Sequence, residues 1–139
     1  RVLTLIIPNT NKFTMKTILV FSLLLAVTLA GNRREEIKEA VTACGGENDG
    51  PNELGKQILK ENADQAKLGA ITFCVHKKLG IQNDHGDIDV DVIRKDLNAL
   101  IKDESEVNKI VEECGKRNGD TPEAAAFNFF KCYQKHVTK

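Results

Sequence analysis

DTPEAAAFNFFKCYQKH, residues 120–136, decides the fold class, because it holds a helix start, a long helical run and a cysteine. Asp120, with Glu123 three residues on, fits the capping box that begins a helix. Pro122 suits the first turn of a helix, where its missing N–H costs little. Most of the chain's aromatic side chains follow: Phe127, Phe129, Phe130 and Tyr133. The stretch therefore predicts a helix that carries aromatic side chains toward a core.

Five segments upstream of this stretch carry apolar residues three and four positions apart, the spacing that gathers them on one face of a helix. The five faces are formed by Ile37, Ala40, Val41 and Cys44; by Leu54, Ile58 and Leu59; by Leu68, Ile71, Val75 and Leu79; by Ile93, Leu97, Leu100 and Ile101; and by Val107, Ile110, Val111 and Cys114. Gly80 is expected to end the third helix, and Asp103 with Glu106 to begin the fifth. Alternation of period two is confined to IDVDV at residues 88–92. The chain is predicted to be all-α, with about six short helices in a single domain.

Residues 15–30 have the pattern of a secretory signal peptide. Lys16 supplies the positive start, and the apolar run ILVFSLLLAVTLA ends at Ala30, with small residues where a signal peptidase cuts. The run is shorter than the ~20 apolar residues that span a bilayer, so a membrane anchor is not expected. Residues 1–14 precede the chain's single methionine and are expected to be translated upstream sequence or an artefact. Cleavage after Ala30 would leave residues 31–139 as one domain.

The charge balance of residues 31–139 argues against several kinds of partner. The whole chain has 20 basic and 20 acidic residues, but Arg1, Lys12 and Lys16 lie before residue 31 and no acidic residue does. The expected mature domain is therefore slightly acidic, with 17 basic and 20 acidic residues. Such a domain is a poor match for nucleic acid or an anionic membrane surface, and for a cationic, membrane-active defence protein.

Four cysteines, Cys44, Cys74, Cys114 and Cys132, lie in the expected mature domain. An even number of cysteines in a secreted chain indicates two disulfides, and the count alone leaves three connectivities open. No two of them form a CxxC motif, so a zinc knuckle is not expected.

The intervals between these cysteines are 29, 39 and 17 residues, and with them the chain resembles the insect odorant-binding protein family (PBP/GOBP). Most members of that family have six cysteines, with three residues between the second and third and eight between the fifth and sixth. These spacings put the two absent cysteines at Ala70 and Glu123. The family joins those positions to each other, so their joint absence matches its four-cysteine "minus-C" branch. The family's third helix, loop and fourth helix are resembled by the stretch CVHKKLGIQNDHGDIDVDVIRKDL. Its sixth helix is resembled by EAAAFNFFKCYQKH.

The resemblance implies six helices around an internal hydrophobic cavity, with the disulfides Cys44–Cys74 and Cys114–Cys132. It also implies a carrier of odorants, pheromones or other lipophilic molecules. The residues expected to contact the ligand are Leu97, Leu100, Val107, Ile110, Phe130, Tyr133 and Val137. Tyr133 follows the last cysteine, where the family often has an aromatic ligand contact, and its hydroxyl would orient a polar group of the ligand.

Core packing is the alternative for each of these contacts, because apolar side chains on a helix face ordinarily pack against neighbouring helices. Phe127 and Phe129 are assigned to the core outright.

The histidines raise the possibility of a metal site or a pH switch, since His76 and His85 lie near several aspartates in the sequence. A calcium loop requires glycine at its sixth position and an oxygen ligand at its first. If Gly86 is the sixth residue, Ile81 is the first, and it has no side-chain oxygen. The loop is therefore expected to be a solvated acidic turn, with no metal and no cofactor. A pH role for the histidines stays open.

The motif content favours a carrier over an enzyme. A small secreted hydrolase needs a Ser/His/Asp set or a calcium-assisted histidine, and the chain has no GxSxG, no HExxH and no adjacent cysteines. No catalytic residue is expected. We expect a secreted monomer or weak homodimer whose partners are a small hydrophobic ligand and a chemosensory receptor, with neither nucleic-acid binding nor a membrane span. A small disulfide-rich hydrolase and a helical defence protein are the alternatives.

Overall fold

The computed structural model describes residues 32–46 and 51–138 of the chain. The predicted signal peptide and the sequence before it, residues 1–30, lie outside the described residues. Glu35–Lys139 form one compact unit. Of Arg1–Arg34, the unit before it, the last three residues are described, and they are helical.

Six helices make up most of the described part of the chain, and no strand occurs there. The helices are α1 at residues 32–43, α2 at Pro51–Ile58, α3 at Gln65–Lys78, α4 at Val90–Leu100, α5 at Glu104–Cys114 and α6 at Pro122–Val137. The strand-like IDVDV contributes one isolated antiparallel bridge, between Gln82 and Ile88, before α4 begins. The prediction of an all-α fold with about six helices is confirmed.

Aspartate side chains begin three of these helices. Asp64, Asp89 and Asp103 are the N-caps of α3, α4 and α5, and each carboxylate accepts a hydrogen bond from a backbone N–H of the first turn. A carboxylate there satisfies donors that have no partner within the helix. The predicted start at Asp103 is confirmed, and the predicted stop at Gly80 coincides with a positive φ of 75°.

Helix α6 begins one residue later than its capping box predicted. Thr121 is the N-cap, and its hydroxyl accepts a hydrogen bond from the Ala124 N–H at 3.1 Å. The prediction of Asp120 as the cap is therefore wrong. The residue before a proline is disfavoured in the helical region, and Thr121 accordingly has an extended ψ of 155°. The helix accordingly starts at Pro122.

Two disulfides join the helices in the pairing that the resemblance implied. Cys44–Cys74 connects the residue after α1 to α3, and Cys114–Cys132 connects the end of α5 to α6. The paired Cα atoms are 5.7 Å apart in both, a usual separation for a disulfide. In the chain-entropy account each bridge contributes about 3 kcal/mol by restricting the unfolded chain.

Helices α3 and α6 approach each other closely near Ala70 and Glu123, the positions at which the resemblance puts the two absent cysteines. A Cβ atom on Gly69 would lie 3.5 Å from the Glu123 Cβ and 2.8 Å from the Glu123 backbone oxygen. Glycine permits this approach because it has no side chain. Ala70, the position of the family's second cysteine, is exposed. Near the missing bridge, α3 and α6 are therefore in close backbone contact at Gly69.

The buried apolar residues of the described chain form three clusters, whereas a small domain usually has one contiguous core. The α4–α5 cluster consists of Ile93, Leu97, Val107, Ile110, Val111, Cys114 and Phe129. The α2–α3 cluster consists of Leu54, Ile58, Leu68 and Phe127. The α1–α3 cluster consists of Ala40, Val41 and Val75. The assignment of Phe127 and Phe129 to the core is confirmed, since both are buried.

Candidate ligand-binding site

Three of the predicted ligand contacts lie in the tightly packed interior. Leu97 of α4 and Val107 and Ile110 of α5 belong to the α4–α5 cluster. Their exposed fractions are 1%, 0% and 0%. Side chains so enclosed would touch a ligand only on a face that the cluster leaves open, and their role in binding stays a prediction.

Phe130 and Tyr133 form a half-buried aromatic wall on α6. Phe130 packs against the α2–α3 cluster, whereas Tyr133 packs against the α4–α5 cluster. Their ring centroids are nevertheless only 6.4 Å apart, with an interplanar angle of 17°. Tyr133 lies equally close to Phe129, at 6.4 Å and 18°. The aromatic wall therefore spans the boundary between two of the three clusters.

Leu100 and Val137 lie on the surface, with exposed fractions of 61% and 40%. The chain leaves the helix at Ile101, where φ is −117° and ψ is 121°, and it is Ile101 that packs against the α4–α5 cluster. This change of backbone direction explains why the apolar stripe predicted on α4 is interrupted at Leu100. Val137 lies one helical turn beyond Tyr133 on α6, and the role of Leu100 and Val137 in binding stays a prediction.

The hydroxyl of Tyr133, predicted to be the polar group of the site, belongs to a largely buried side chain. Burial raises the pKa of Tyr133 above its ordinary value of 10.0, and the negative charge of Asp96 raises it further. The hydroxyl therefore stays protonated at physiological pH, and it can both donate and accept a hydrogen bond.

His76 of α3 is a buried polar residue whose environment the sequence interpretation missed. Its Nδ1 lies 2.7 Å from the side-chain oxygen of Gln82. The ring makes edge-to-face contacts with Phe129 at 5.4 Å and 73° and with Phe130 at 6.1 Å and 85°. His76 thus bonds to a neutral amide and touches the aromatic residues of α6, whereas sequence reasoning had grouped it with the aspartates of the following loop.

A sequence signal for the burial of His76 did exist. Leu68, Thr72 and His76 are four residues apart, a spacing that stacks them on one helix face. All three are buried, and the Thr72 hydroxyl donates to the Leu68 backbone oxygen at 2.6 Å. The apolar stripe predicted for α3 skipped Thr72 and His76 because they are polar, although their spacing continues it.

Burial also determines the charge of His76. Removal from water lowers the pKa of His76 from 6.5 to about 4, and the hydrogen bond to Gln82 only partly opposes this effect. A buried imidazole without a charged partner is more stable in its neutral form. His76 is therefore neutral at physiological pH.

The loop after α3 is held in place by Arg117, from the connection between α5 and α6. The Arg117 guanidinium donates to the His85 backbone oxygen at 2.6 Å and to the Asp87 carboxylate at 3.0 Å. The hydrogen bond from Arg117, followed by one from Asn83, lowers the pKa of Asp87. The acidic loop is thus exposed, as predicted, but it is also anchored to a second loop.

Gly86 brings the loop after α3 into direct contact with the first residue of α6. Its φ is 86°, and a Cβ atom there would lie 2.6 Å from the Pro122 Cα. Only glycine adopts such a conformation without strain and leaves room for Pro122. The Gly86 backbone oxygen accepts a hydrogen bond from the Gln82 amide nitrogen at 2.9 Å, so the loop contact also orients the partner of His76.

Cys114, Cys132 and His136 place potential metal-ligand atoms within 4.8 Å of one another. The two sulfurs are bonded to each other, so they are not available as thiolate ligands. The His136 Nε2 lies 2.7 Å from a Glu113 carboxylate oxygen, which ties α5 to α6 beside the disulfide.

A surface cleft of about 370 Å³ lies apart from the predicted contacts, between α1 and the end of α3. Its lining residues are Glu36, Glu39, Ala40, Ala43, Lys78 and Leu79. Half of these side chains are charged, and the cleft is open to solvent. Such a lining is a poorer match for a hydrophobic ligand than the aromatic wall, because ligand pockets are mostly apolar and enclosed.

None of the helices within residues 32–46 and 51–138 has both the length and the hydrophobicity needed to cross a bilayer.

The chain has recognisable relatives. A model of the PBP/GOBP family matches residues 28–136. The B2 protein of Tenebrio molitor is 30% identical over 118 residues, which cover 82% of this chain and 91% of that protein. The B1 protein of the same beetle is also 30% identical over 118 residues, covering 82% and 90%. No solved structure gives a significant match.

Proposed function

The chain belongs to the PBP/GOBP family, and from this premise we propose that it is an extracellular carrier of small hydrophobic molecules, such as odorants or pheromones. We place the ligand inside the helical domain, against the aromatic wall of Phe130 and Tyr133. The chain has four cysteines, and Ala70 and Glu123 stand at the two positions of the missing bridge. Both observations agree with the minus-C branch.

The observation that carries this proposal is the aromatic wall itself, which packs against two of the apolar clusters. A domain of this size usually has one main core with smaller satellite clusters, and here the partly buried Ile71 connects the α2–α3 and α1–α3 clusters. Here Phe130 and Tyr133 pack against different clusters while their rings stay 6.4 Å apart. Half-buried aromatic rings at such a boundary offer apolar surface to a small hydrophobic molecule.

Few polar groups accompany the aromatic wall, which points to ligands that are mainly hydrocarbon with one polar end. The wall carries the Tyr133 hydroxyl and contacts the His76 imidazole, neither of which is charged at physiological pH. Asp96 lies close enough to Tyr133 for its negative charge to raise the Tyr133 pKa. An anionic ligand would therefore lose its hydration there and meet a negative charge, which is costly.

The location outside the cell rests on the disulfides and on the sequence before residue 31. Disulfides persist in oxidising compartments, and all four cysteines are paired. We expect signal peptidase to cut after Ala30, so the secreted protein should begin at Gly31. N-terminal sequencing of material secreted from insect cells tests this, and a secreted protein that still begins at Arg1 or Met15 would refute it.

Ligand binding without catalysis is tested with a fluorescent apolar probe. The disulfide-intact domain should bind N-phenylnaphthylamine at micromolar concentration, and medium-chain alcohols and aldehydes should displace it. The same preparation should leave fatty-acid esters unhydrolysed. A folded protein that does not bind the probe, or that hydrolyses the esters, would contradict the carrier function.

Phe130→Ala locates the binding site. Removing this half-buried ring should weaken the probe and all displacing ligands, because their contact is apolar. Val90→Ala is the matched control, since Val90 is 37% exposed and lies outside the predicted site. Equal affinities of the two variants would place the ligand elsewhere in the domain.

We further propose that the carrier acts as a monomer or weak homodimer and hands its ligand to a chemosensory receptor. Analytical ultracentrifugation with and without decanol tests the first part. A tight dimer in both conditions would contradict it.

A further inference from the structure

The hydrogen bonds around His76 determine which ring nitrogen carries the proton. The Gln82 amide nitrogen donates to the Gly86 backbone oxygen at 2.9 Å, so the Gln82 amide oxygen faces His76. That oxygen can only accept a hydrogen bond. The His76 Nδ1, at 2.7 Å from it, must therefore be the donor. In a neutral imidazole the other nitrogen, Nε2, then has a free lone pair and acts as an acceptor.

The Nε2 atom points away from Gln82, because the two ring nitrogens face nearly opposite directions. Among the described residues it has no hydrogen-bond partner, although His76 is only 4% exposed. In the same part of the chain, no side-chain nitrogen or oxygen is both sealed from solvent and without a partner. Nε2 therefore borders a space that a small polar atom can enter.

His76 also lies between two of the apolar clusters. Its ring contacts Phe129 of the α4–α5 cluster and Phe130, which packs against the α2–α3 cluster. The acceptor therefore belongs to a ring in contact with the aromatic wall, against which the proposed function places the ligand.

We propose that His76 Nε2 accepts a hydrogen bond from the ligand, so that the carrier prefers alcohols to aldehydes and hydrocarbons of the same length. The inference rests on the proposed function and adds a specificity-determining residue to its site. An alcohol donates an O–H to Nε2, whereas an aldehyde has an acceptor only and a hydrocarbon has neither. An acceptor that faces a ligand without a donor stays unsatisfied, which is unfavourable.

Tyr133 does not supply this selectivity. Its hydroxyl both donates and accepts, so it can bond to an alcohol oxygen and to an aldehyde oxygen alike. The two residues therefore predict different behaviour. Loss of the Tyr133 hydroxyl weakens both kinds of ligand, whereas loss of the His76 acceptor removes the difference between them.

Decanol, decanal and decane form the matched set of ligands, because they share a chain length and differ in their polar end. For the wild-type domain we expect decanol to bind about fivefold to tenfold more tightly than decanal, the ratio given by one net hydrogen bond. Decane should bind more weakly than decanol. Affinities are measured by displacement of N-phenylnaphthylamine.

His76→Asn is the decisive variant, because the asparagine amide can still donate to Gln82 but has no acceptor at the position of Nε2. The decanol-to-decanal ratio should fall to one or below, while the affinity for decane stays within about twofold of wild type. His76→Gln is the matched control, since its longer amide reaches toward the Nε2 position and loses the bond to Gln82. It should keep part of the preference for decanol despite a lower melting temperature.

The outcomes separate the two proposals. If none of the three ligands binds the folded wild-type domain, the carrier function fails. If all bind but decanol has no advantage in wild type, or keeps it in His76→Asn, the carrier function stands and the role of His76 is refuted.

Nitrogen-15 NMR of the wild-type imidazole covers the case in which His76→Asn does not fold. Free protein should give the signature of a neutral ring protonated at Nδ1. Saturation with decanol should shift the Nε2 resonance toward lower frequency, as expected when that nitrogen accepts a hydrogen bond, and decane should not. An Nε2 resonance that is unchanged by decanol, or a proton on Nε2, would overturn the proposal.

Discussion

Tyr133 is the single tyrosine of the chain, and its ring and hydroxyl contribute separately to the proposed site. The ring stacks with Phe129 and Phe130, while the hydroxyl is a polar group within a largely buried side chain. A substitution that keeps the ring therefore tests the hydroxyl alone.

Tyr133→Phe should weaken ligands that carry an oxygen by about 1 kcal/mol, the net contribution of one hydrogen bond, and leave hydrocarbons unchanged. Displacement of the fluorescent probe by decanal and by decane measures both effects. An equal loss for the two ligands would show that the hydroxyl does not contact the polar end of the ligand.

His76 should make the domain sensitive to acid. Its pKa is 6.5 in the unfolded chain and about 4 in the fold, so between these values the unfolded state binds more protons. The contribution of neutral His76 to the free energy of unfolding is then fully present above about pH 6.5. It decreases as the pH falls, by about 2 kcal/mol at pH 5. Asp87 does not contribute in this window, since its pKa is lowered from 3.8.

Urea unfolding at pH 7 and pH 5 measures this loss. His76→Asn, which has no group that titrates in the window, should show a flatter dependence on pH. A wild-type domain equally stable at both values would mean that His76 is not neutral and buried in solution.

At the scale of the helices, local sequence and neighbouring structure share control of where each element begins. The aspartate that starts α5 was evident from its position before an apolar face, whereas Asp120 competed with Thr121 for the start of α6. Pro122 resolved the competition, because it excludes a helical conformation for the residue before it.

Thr121→Ala should lower the free energy of unfolding by about 1 kcal/mol, since the Ala124 N–H loses its partner. Asp120→Ala is the matched control and should change stability by less than about 0.5 kcal/mol. Asp120 accepts a hydrogen bond from Arg117 through its backbone oxygen, which the substitution keeps, and its side chain does not cap the helix. Thermal unfolding of both variants measures the two losses of stability. A larger loss for Asp120→Ala would return the cap to the position that the sequence predicted.

At the scale of the whole molecule, two disulfides and several close backbone contacts tie the helices together. The bridges connect α1 to α3 and α5 to α6. Helix α3 meets α6 through Gly69 instead, so the contact between these two helices depends on packing. Both helices carry residues of the proposed site.

Ala70→Cys with Glu123→Cys should restore the family's third bridge and raise stability by up to about 3 kcal/mol. A few tenths of this gain are lost with the Glu123 charge, which favours the start of α6. Gly69→Cys with Glu123→Cys is the control. Its Cβ atoms would lie at bonding distance, but the Gly69 Cβ would be only 2.8 Å from a backbone oxygen, so this pair should be strained and less stable.

Non-reducing mass spectrometry and thermal unfolding compare the two double variants. We also expect a narrower range of ligands for the Ala70 variant, since a bridged wall repacks less. Two free thiols in the folded Ala70 variant would show that its two positions do not face each other.

The class of the fold, the number of helices, the disulfide pairing and the family were all available from the sequence. Apolar spacing within a helix is a local property, so the face formed by Val107, Ile110 and Val111 could be assigned without knowledge of its neighbours. The cysteine intervals are likewise fixed along the chain, and the resemblance that they carry led to the correct pairing.

Only the tertiary structure decided which residues of each face reach the interior, and what they meet there. Periodicity predicts that a face is buried but not which neighbour covers it. Leu100 is thus exposed while Ile101, one position on, is packed, because the backbone turns out of the helix there. The neutral state of His76 likewise depends on Gln82 and on burial against α6. The contact with α6 joins residues far apart in the chain, so the spacing within α3 that signals the burial of His76 does not show what covers it.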